Sequence, residues 1–378
     1  MKIVLAIDSF KGSLASAQAE QAVAEGIRRV YPDAEVVSYP VSDGGEGIVD
    51  SLYSCIGGDI VEMYALNPFG EKIKAEYVIT GDNTAIIETA KTAGIMLVPK
   101  NRLNPLVATT FGVGEMIADA IKKGCRKFIL GIGGSATNDC GTGMLTALGF
   151  EFYDKDEKAV PQGAIGIKDI ATLKRDNVIL ELAECEFTVA CDVINPLCGK
   201  NGASYVFAPQ KGATSEMCKD MDKWFFDFSN TVRKYYPESN PDFEGSGAAG
   251  GMGYALRTFL NAKLKSGIEL IIEKIGIEKD IKNADLVITG EGKIDKQTAM
   301  GKLPSGIAKI AKKYDKPVIA FSGVTAEDAF ECNKNGIDAF FSAISSVCTY
   351  EEAMDFETAY KNLANVAEQA MRALKINI

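Results

Sequence analysis

The chain has no histidine in its 378 residues. That removes imidazole as a base, a proton shuttle or a metal ligand. Ser-His-Asp and Cys-His mechanisms are excluded with it, as is any histidine-bound metal. Acid–base chemistry must fall to Asp, Glu, Lys, Tyr or Cys. The nine cysteines include no C-x-x-C pair, so the spacing suggests neither a zinc site nor a disulfide framework, and buried thiols in a reducing cytoplasm are expected. No stretch of about 18 apolar residues is present, so no membrane span is expected. The apolar start Met1–Ile7 meets Asp8 too early for a secretory signal. An excess of positive charge is also lacking. The net charge is −10 and the pI about 4.9, which argues against nucleic acid or an anionic membrane as the main partner. A small anion needs only a local basic patch. The phosphate-loop pattern G-x-x-x-x-G-K-[ST] occurs nowhere, so any kinase chemistry must come from another architecture.

What the chain does have is glycine beside acid. Four segments stand out: Ser42-Asp-Gly-Gly-Glu-Gly47, Gly131-Ile-Gly-Gly-Ser-Ala-Thr-Asn-Asp139, Gly245–Gly253 and Thr289-Gly-Glu-Gly-Lys-Ile-Asp295. Glycine lets a backbone approach a ligand and turn its N–H groups toward an anion. Neighbouring carboxylates hold a divalent cation or accept a proton. Phosphates, a metal and a hydroxyl to deprotonate are what a kinase handles.

At this length about two domains are expected. A strand (Lys2–Ile7), a turn and an amphipathic helix up to Pro32 open the chain, followed by strands at Val36–Val41 and Ile60–Leu66 and a helix over 47–55. Lys72–Thr80 and Thr84–Glu88 flank Gly81-Asp-Asn83 as a hairpin. A helix spans 109–123, and Lys127–Leu130, Glu186–Ala190 and Ala203–Ala208 read as strands. A helical stripe runs from Met217 to Tyr235. From Asp285 the strand–loop–helix rhythm returns, with Thr349-Tyr-Glu-Glu352 as a capping box for the final helix. The pattern predicts an α/β protein: a Rossmann-like parallel-sheet domain made of residues 1–66 and 280–378, interrupted by a mixed α/β domain over 67–279.

Each candidate site has a plain alternative. Asp43 and Glu46 fit a helix cap as well as a ligand contact. Lys11, in Ser9-Phe-Lys-Gly-Ser13, meets a phosphate at a helix N-terminus or stays solvated. Gly133, Gly134, Ser135 and Asn138 suit a phosphate or a carboxylate, or form a tight turn. Gly245–Gly253 binds or packs closely. Asp192 and Asp295 follow strands, where a base or a metal ligand sits, or they make Asx-turns.

Taken together these segments resemble the bacterial glycerate kinase family. The matching stretches are Asp8–Ser13, Ser42–Gly47, Gly131–Asp139, Cys191-Asp-Val-Ile-Asn-Pro-Leu197, Pro209-Gln-Lys-Gly212, Gly247–Gly251 and Asp285–Gly292 with Asp295, Gln297 and Thr298, in the family's order. Ile7, Ser42 and Cys140 depart from the family's usual residues in size-conserving ways or beside the motifs. The resemblance implies ATP-dependent phosphorylation of D-glycerate to 2-phosphoglycerate with Mg²⁺, and the two-domain α/β fold. For such a reaction, chemistry assigns Asp192 or Asp295 as base, with Lys11 and the Gly133–Ser135 amides on phosphate. Asp43, Glu46 and Glu291 are the metal candidates, Ser9 and Ser13 flank the phosphate, and Arg102 forks onto the glycerate carboxylate or remains a surface arginine. Two rivals stay open: a kinase for another small hydroxy acid, and a non-catalytic sensor of a phosphorylated acid.

Overall fold

The computed structural model describes residues 1–10, 12–41, 52–53, 56–299, 301–344 and 346–376. Contacts gather the described residues into two compact units. One holds the described parts of Met1–Gly44, Asp50–Ile56 and Ile268–Ile378, and the other is Gly57–Gly267.

The first unit is built on strand β1 (Lys2–Ile7), which is buried from Ile3 onward. Continuous burial marks a parallel strand covered on both faces. β1 pairs in parallel with β2 (Glu35–Ser38) on one side and β11 (Leu286–Ile294) on the other. β12 (Val318–Thr325) and β13 (Ala339–Ser342) complete the all-parallel order β13-β12-β11-β1-β2. The two ends of the chain thus share one sheet, as the returning rhythm predicts. Ile3, Leu5, Ile7, Leu286, Ile288 and Phe321 point to a face covered by the helices Ser16–Arg28 and Phe356–Leu374. Each such side chain contributes about 1.5–3 kcal/mol on burial. Those two helices touch so closely that a Cβ on Gly26 would lie 2.3 Å from the Ala364 carbonyl oxygen. Glu20 is the one charged residue on the buried face of Ser16–Arg28. Its Oε1 accepts the Ile7 N–H at 3.1 Å, and burial pushes its pKa up to about 8.

Thr349 and Glu352 do form a reciprocal capping box, at 3.2 and 2.9 Å. It opens the short helix Tyr350–Met354 rather than the final one. Asp355 breaks the run and caps Phe356–Leu374 itself, accepting the Thr358 N–H at 3.0 Å.

The second unit carries a six-stranded mixed sheet. Its strands are β3 (Asp59–Leu66), β4 (Lys72–Ile79), β5 (Thr84–Glu88), β6 (Lys127–Gly131), β9 (Glu186–Ala190) and β10 (Lys263–Lys265), in the order β10-β9-β6-β5-β4-β3. β7 (Glu151–Tyr153) and β8 (Thr172–Lys174) form a separate hairpin. β3, β4 and β5 run antiparallel, whereas β5, β6, β9 and β10 are parallel. The sequence reading grouped Ile60–Leu66 with the first domain. In the structure it pairs with β4 along all eight of its residues, because the Asn67–Glu71 turn makes the neighbouring segment its antiparallel partner.

Ala203–Phe207 is a helix, not the strand its Tyr-Val-Phe suggests. Ala203 and Ser204 are buried, and the segment packs on the helices Ser215–Arg233 and Ala248–Leu260, so tertiary burial overrides the local β preference. Among the described residues, no helix is long and apolar enough to cross a membrane.

Candidate functional site

Open parallel sheets bind ligands beyond the carboxyl ends of their strands, and both units concentrate polar groups there. In the second unit the loop after β6 is held from two sides. Asp139 is fully buried. Its Oδ2 accepts the Thr110 N–H and hydroxyl, both at 2.8 Å, and the Gly143 N–H at 3.3 Å, while Oδ1 accepts the Gly141 N–H at 3.1 Å. Burial raises its pKa, opposed by these donors. Lys211 reaches in from the turn Pro209–Lys211. Its ammonium is buried and donates to Ser135 Oγ at 2.8 Å and to the Thr137 carbonyl at 2.6 Å. Burial lowers its pKa to about 7, with the nearby Asp139 charge acting the other way.

Behind the loop, Ala249, Gly250 and Gly251 are all left-handed, with φ of 50°, 67° and 89°. A Cβ on Gly250 would sit 2.2 Å from the Thr137 carbonyl oxygen. For Gly245–Gly253 the close-packing alternative therefore holds: the segment supports the loop.

Gly133 and Gly134 are exposed at the rim, and Gly134 takes φ of 67°, which suits glycine. The loop is stitched to the segment leaving β5. The Ile95 N–H donates to the Gly134 carbonyl and the Ala136 N–H to the Ala93 carbonyl, both at 2.8 Å. On these two joined segments, four buried polar atoms have no partner among the described residues: Thr89 Oγ1, Thr92 Oγ1, Thr137 Oγ1 and Asn138 Oδ1. All four side chains are buried beneath the rim, with almost no surface open to solvent. The amide nitrogen of Asn138 is already committed, to Ser204 Oγ at 3.1 Å and Met221 Sδ at 3.2 Å.

Asp192 lies just past β9 and is exposed. Its Oδ1 accepts the Gly267 N–H at 2.9 Å, 75 residues along the chain. Arg102 sits on the turn Lys100–Arg102, half exposed. Its Nη2 donates to Glu71 at 3.0 Å and its guanidinium lies 5.2 Å from the Phe69 ring centroid.

In the first unit, Asp8 follows β1 and is buried. Its Oδ1 accepts the Ser9 N–H at 2.6 Å, and its own N–H donates to Gly290 at 2.9 Å. Glu291, on the adjoining strand, is buried. Its Oε1 accepts the Thr298 hydroxyl at 2.5 Å and its Oε2 lies 3.4 Å from Lys302 Nζ. Burial raises the Glu291 pKa; Thr298 and Lys302 oppose the shift, and the negative charge of Asp8 adds to it. Asp295 caps the next turn, with Oδ1 accepting the Gln297 and Thr298 N–H groups at 2.9 and 3.3 Å and Oδ2 lying 3.5 Å from Lys293. The turn alternative is thus realised at Asp295. The Ser13 hydroxyl is spent on the Phe10 carbonyl at 3.0 Å. Lys11, Asp43 and Glu46 lie outside the described residues.

The structure brings Ser9, Ser13, Glu291 and Asp295 into one unit and Arg102, Gly133, Gly134, Ser135, Asn138 and Asp192 into the other. Sequence reasoning gave no role to Asp8, Lys211, Thr89 or Thr92, and offered Thr137 only as a helix cap. For Asp8 and Lys211 the available signal was their place inside the matching motifs. Among the described residues, no three acidic or cysteine side chains converge as metal ligands.

These two units, each with polar groups at the ends of parallel strands, are those of an α/β protein. The glycerate kinase family model matches residues 3–375, and the chain belongs to that family. It is 42% identical to the glycerate 2-kinase of Escherichia coli K12 over 379 residues, covering 100% of this chain and 99% of the relative. It is also 42% identical to the glycerate kinase of Bacillus subtilis 168 over 377 residues, covering 100% and 98%. A crystal structure described as glycerate kinase 2 from Salmonella typhimurium LT2 superposes with a TM-score of 0.87 at 42% identity, covering 99% of this chain and 98% of the other.

Proposed function

We propose that the protein transfers the γ-phosphate of ATP to a hydroxyl of D-glycerate, giving 2-phosphoglycerate. The observation that carries this reading is the exposed Gly133–Gly134 rim after β6, whose neighbour Ser135 is held by the buried ammonium of Lys211. The Gly133 and Gly134 amides and Ser135 meet the anionic end of D-glycerate, and Lys211 holds Ser135 in place. Asp192 takes the hydroxyl proton: its Oδ1 is fixed by the Gly267 N–H, which orients the carboxylate. Asp295 is committed to its cap and Arg102 to Glu71 and Phe69, so neither is given a chemical role here.

The nucleotide phosphates belong to the first unit, where Ser9, Ser13 and Lys11 follow β1. Asp8 and Glu291 are oxygen donors on adjoining strand ends. They fit Mg²⁺, which commonly takes one or two protein carboxylates and completes its shell with water and phosphate. When bound, the ion neutralises charge on the transferring phosphate.

The test is to incubate the protein with D-glycerate, ATP and Mg²⁺ and to follow products by ³¹P NMR. A phosphomonoester on C2 is expected. Unspent ATP would overturn the reading, and a C3 ester would correct the regiochemistry.

A further inference from the structure

The first unit contains a mainly apolar cavity of about 390 Å³. It opens at the carboxyl ends of three successive parallel strands, at Gly292 after Glu291 on β11, at Gly323 on β12, and just past β13. Phe10 and Met354 form part of its wall. Val347 and Tyr350 stand at the cavity, fully exposed and 73% exposed. Their apolar surface is open to a ligand entering the cavity.

We propose that this cavity binds the purine nucleoside of the phosphate donor. The inference rests on the kinase reading above and specifies where its nucleotide lies. The volume falls in the range of small-molecule and cofactor sites. The lining is apolar and partly aromatic, as a flat heteroaromatic ring requires, with the Ser346 hydroxyl to meet a ring nitrogen or the ribose. Gly292, the residue next to Glu291, lines the cavity, as does Ser13. A nucleoside seated there projects its phosphates along the strand ends toward Asp8 and Glu291. Absence of a side chain at Gly323 keeps the passage open; a Cβ there would stand 2.8 Å from the Gly292 carbonyl oxygen.

The experiment is calorimetric titration of the full-length protein with ADP and with adenosine, using wild type, Ala353→Trp, which fills the cavity, and Val347→Asp, which puts a charge at its opening. Steady-state kinetics with D-glycerate accompany it. Expected are ADP and adenosine binding to wild type, about tenfold or more weaker ADP binding in both variants, and a KM for D-glycerate within about twofold of wild type. Thermal unfolding checks each variant. Should Ala353→Trp fail to fold, Val347→Asp, at an exposed position, decides alone. Undiminished ADP affinity in a folded variant overturns the proposal, as does wild type that binds no ADP. Wild type that binds ADP in this variant-sensitive way, yet turns over no D-glycerate, instead sinks the activity reading and leaves the nucleoside site standing.

Discussion

The Lys211 ammonium lies 2.8 Å from Ser135 Oγ inside the second unit, with no exposed surface to speak of. A buried amine is costly to charge, and this one sits where a single donor set fixes the glycine rim. Lys211→Met keeps most of the volume and removes the donor. Positioning is then lost, and kcat/KM for D-glycerate falls about ten- to a hundredfold with the fold retained. Stability separates this role from bulk packing. Between about pH 7 and the ordinary lysine value of 10.5, the unfolded chain holds a proton that folded Lys211 has lost. Wild-type stability therefore rises across that window relative to Lys211→Met, by up to about 1.4 kcal/mol per pH unit. Urea unfolding of both proteins at several pH values reads the difference; a constant gap would falsify the buried-amine account.

Glu20 has the opposite sign. Its folded pKa of about 8 stands above the ordinary 4.5, so the folded state holds the extra proton between those values. The stability it contributes is complete below about pH 4.5 and is lost as pH rises through about 8. Glu20→Gln mimics the protonated form. Thermal unfolding of the two proteins should shift steadily in favour of the variant from pH 4.5 to pH 8, and parallel curves would show that Glu20 titrates normally.

Asp192→Asn retains an oxygen to accept the Gly267 N–H, so it should fold as wild type does. If Asp192 is the base, kcat and kcat/KM drop together by about 10²- to 10⁴-fold. Turnover within a few-fold of wild type removes it from the chemistry. Early unfolding would mean that its bond to Gly267 is its main task.

Excess EDTA should abolish turnover, and Mg²⁺ or Mn²⁺ should restore it. Glu291→Gln removes one charge while keeping an acceptor for the Thr298 hydroxyl. The Mg²⁺ concentration giving half-maximal rate should rise in this variant, with ADP still bound in the absence of metal. An unchanged Mg²⁺ response releases Glu291 from metal binding.

Much of the frame was legible in the sequence. β1 reads as a continuous apolar run, and the strands from Asp285 onward repeat its pattern, so their shared parallel sheet follows. Ile60–Leu66 was legible as a strand but not by sheet, because period-two alternation carries no information about the partner. Ala203–Phe207 is five residues long, too short for periodicity to separate helix from strand. At the site, Gly133, Gly134 and Ser135 announced themselves by composition. Lys211 did not: a lysine between Gln210 and Gly212 reads as a solvated turn residue, and only the tertiary fold turns it inward. Thr89 and Thr92 follow β5 with no glycine motif to mark them. Glu291 and Asp295 were visible as acids, while the division of labour between them, one buried and one capping, depends on hydrogen bonds that spacing does not encode.

The pairing of β1 with β11 also sets a timetable. The Thr289 hydroxyl that donates to the Ala6 carbonyl belongs to a residue 283 positions later. At roughly 5–20 residues per second of synthesis, β1 waits on the order of tens of seconds for that neighbour. During that interval Ile3, Leu5 and Ile7 form an apolar strand without its central partner. A nascent chain arrested before Leu286 should therefore present this segment to chaperones, and release should follow only once β11 has emerged.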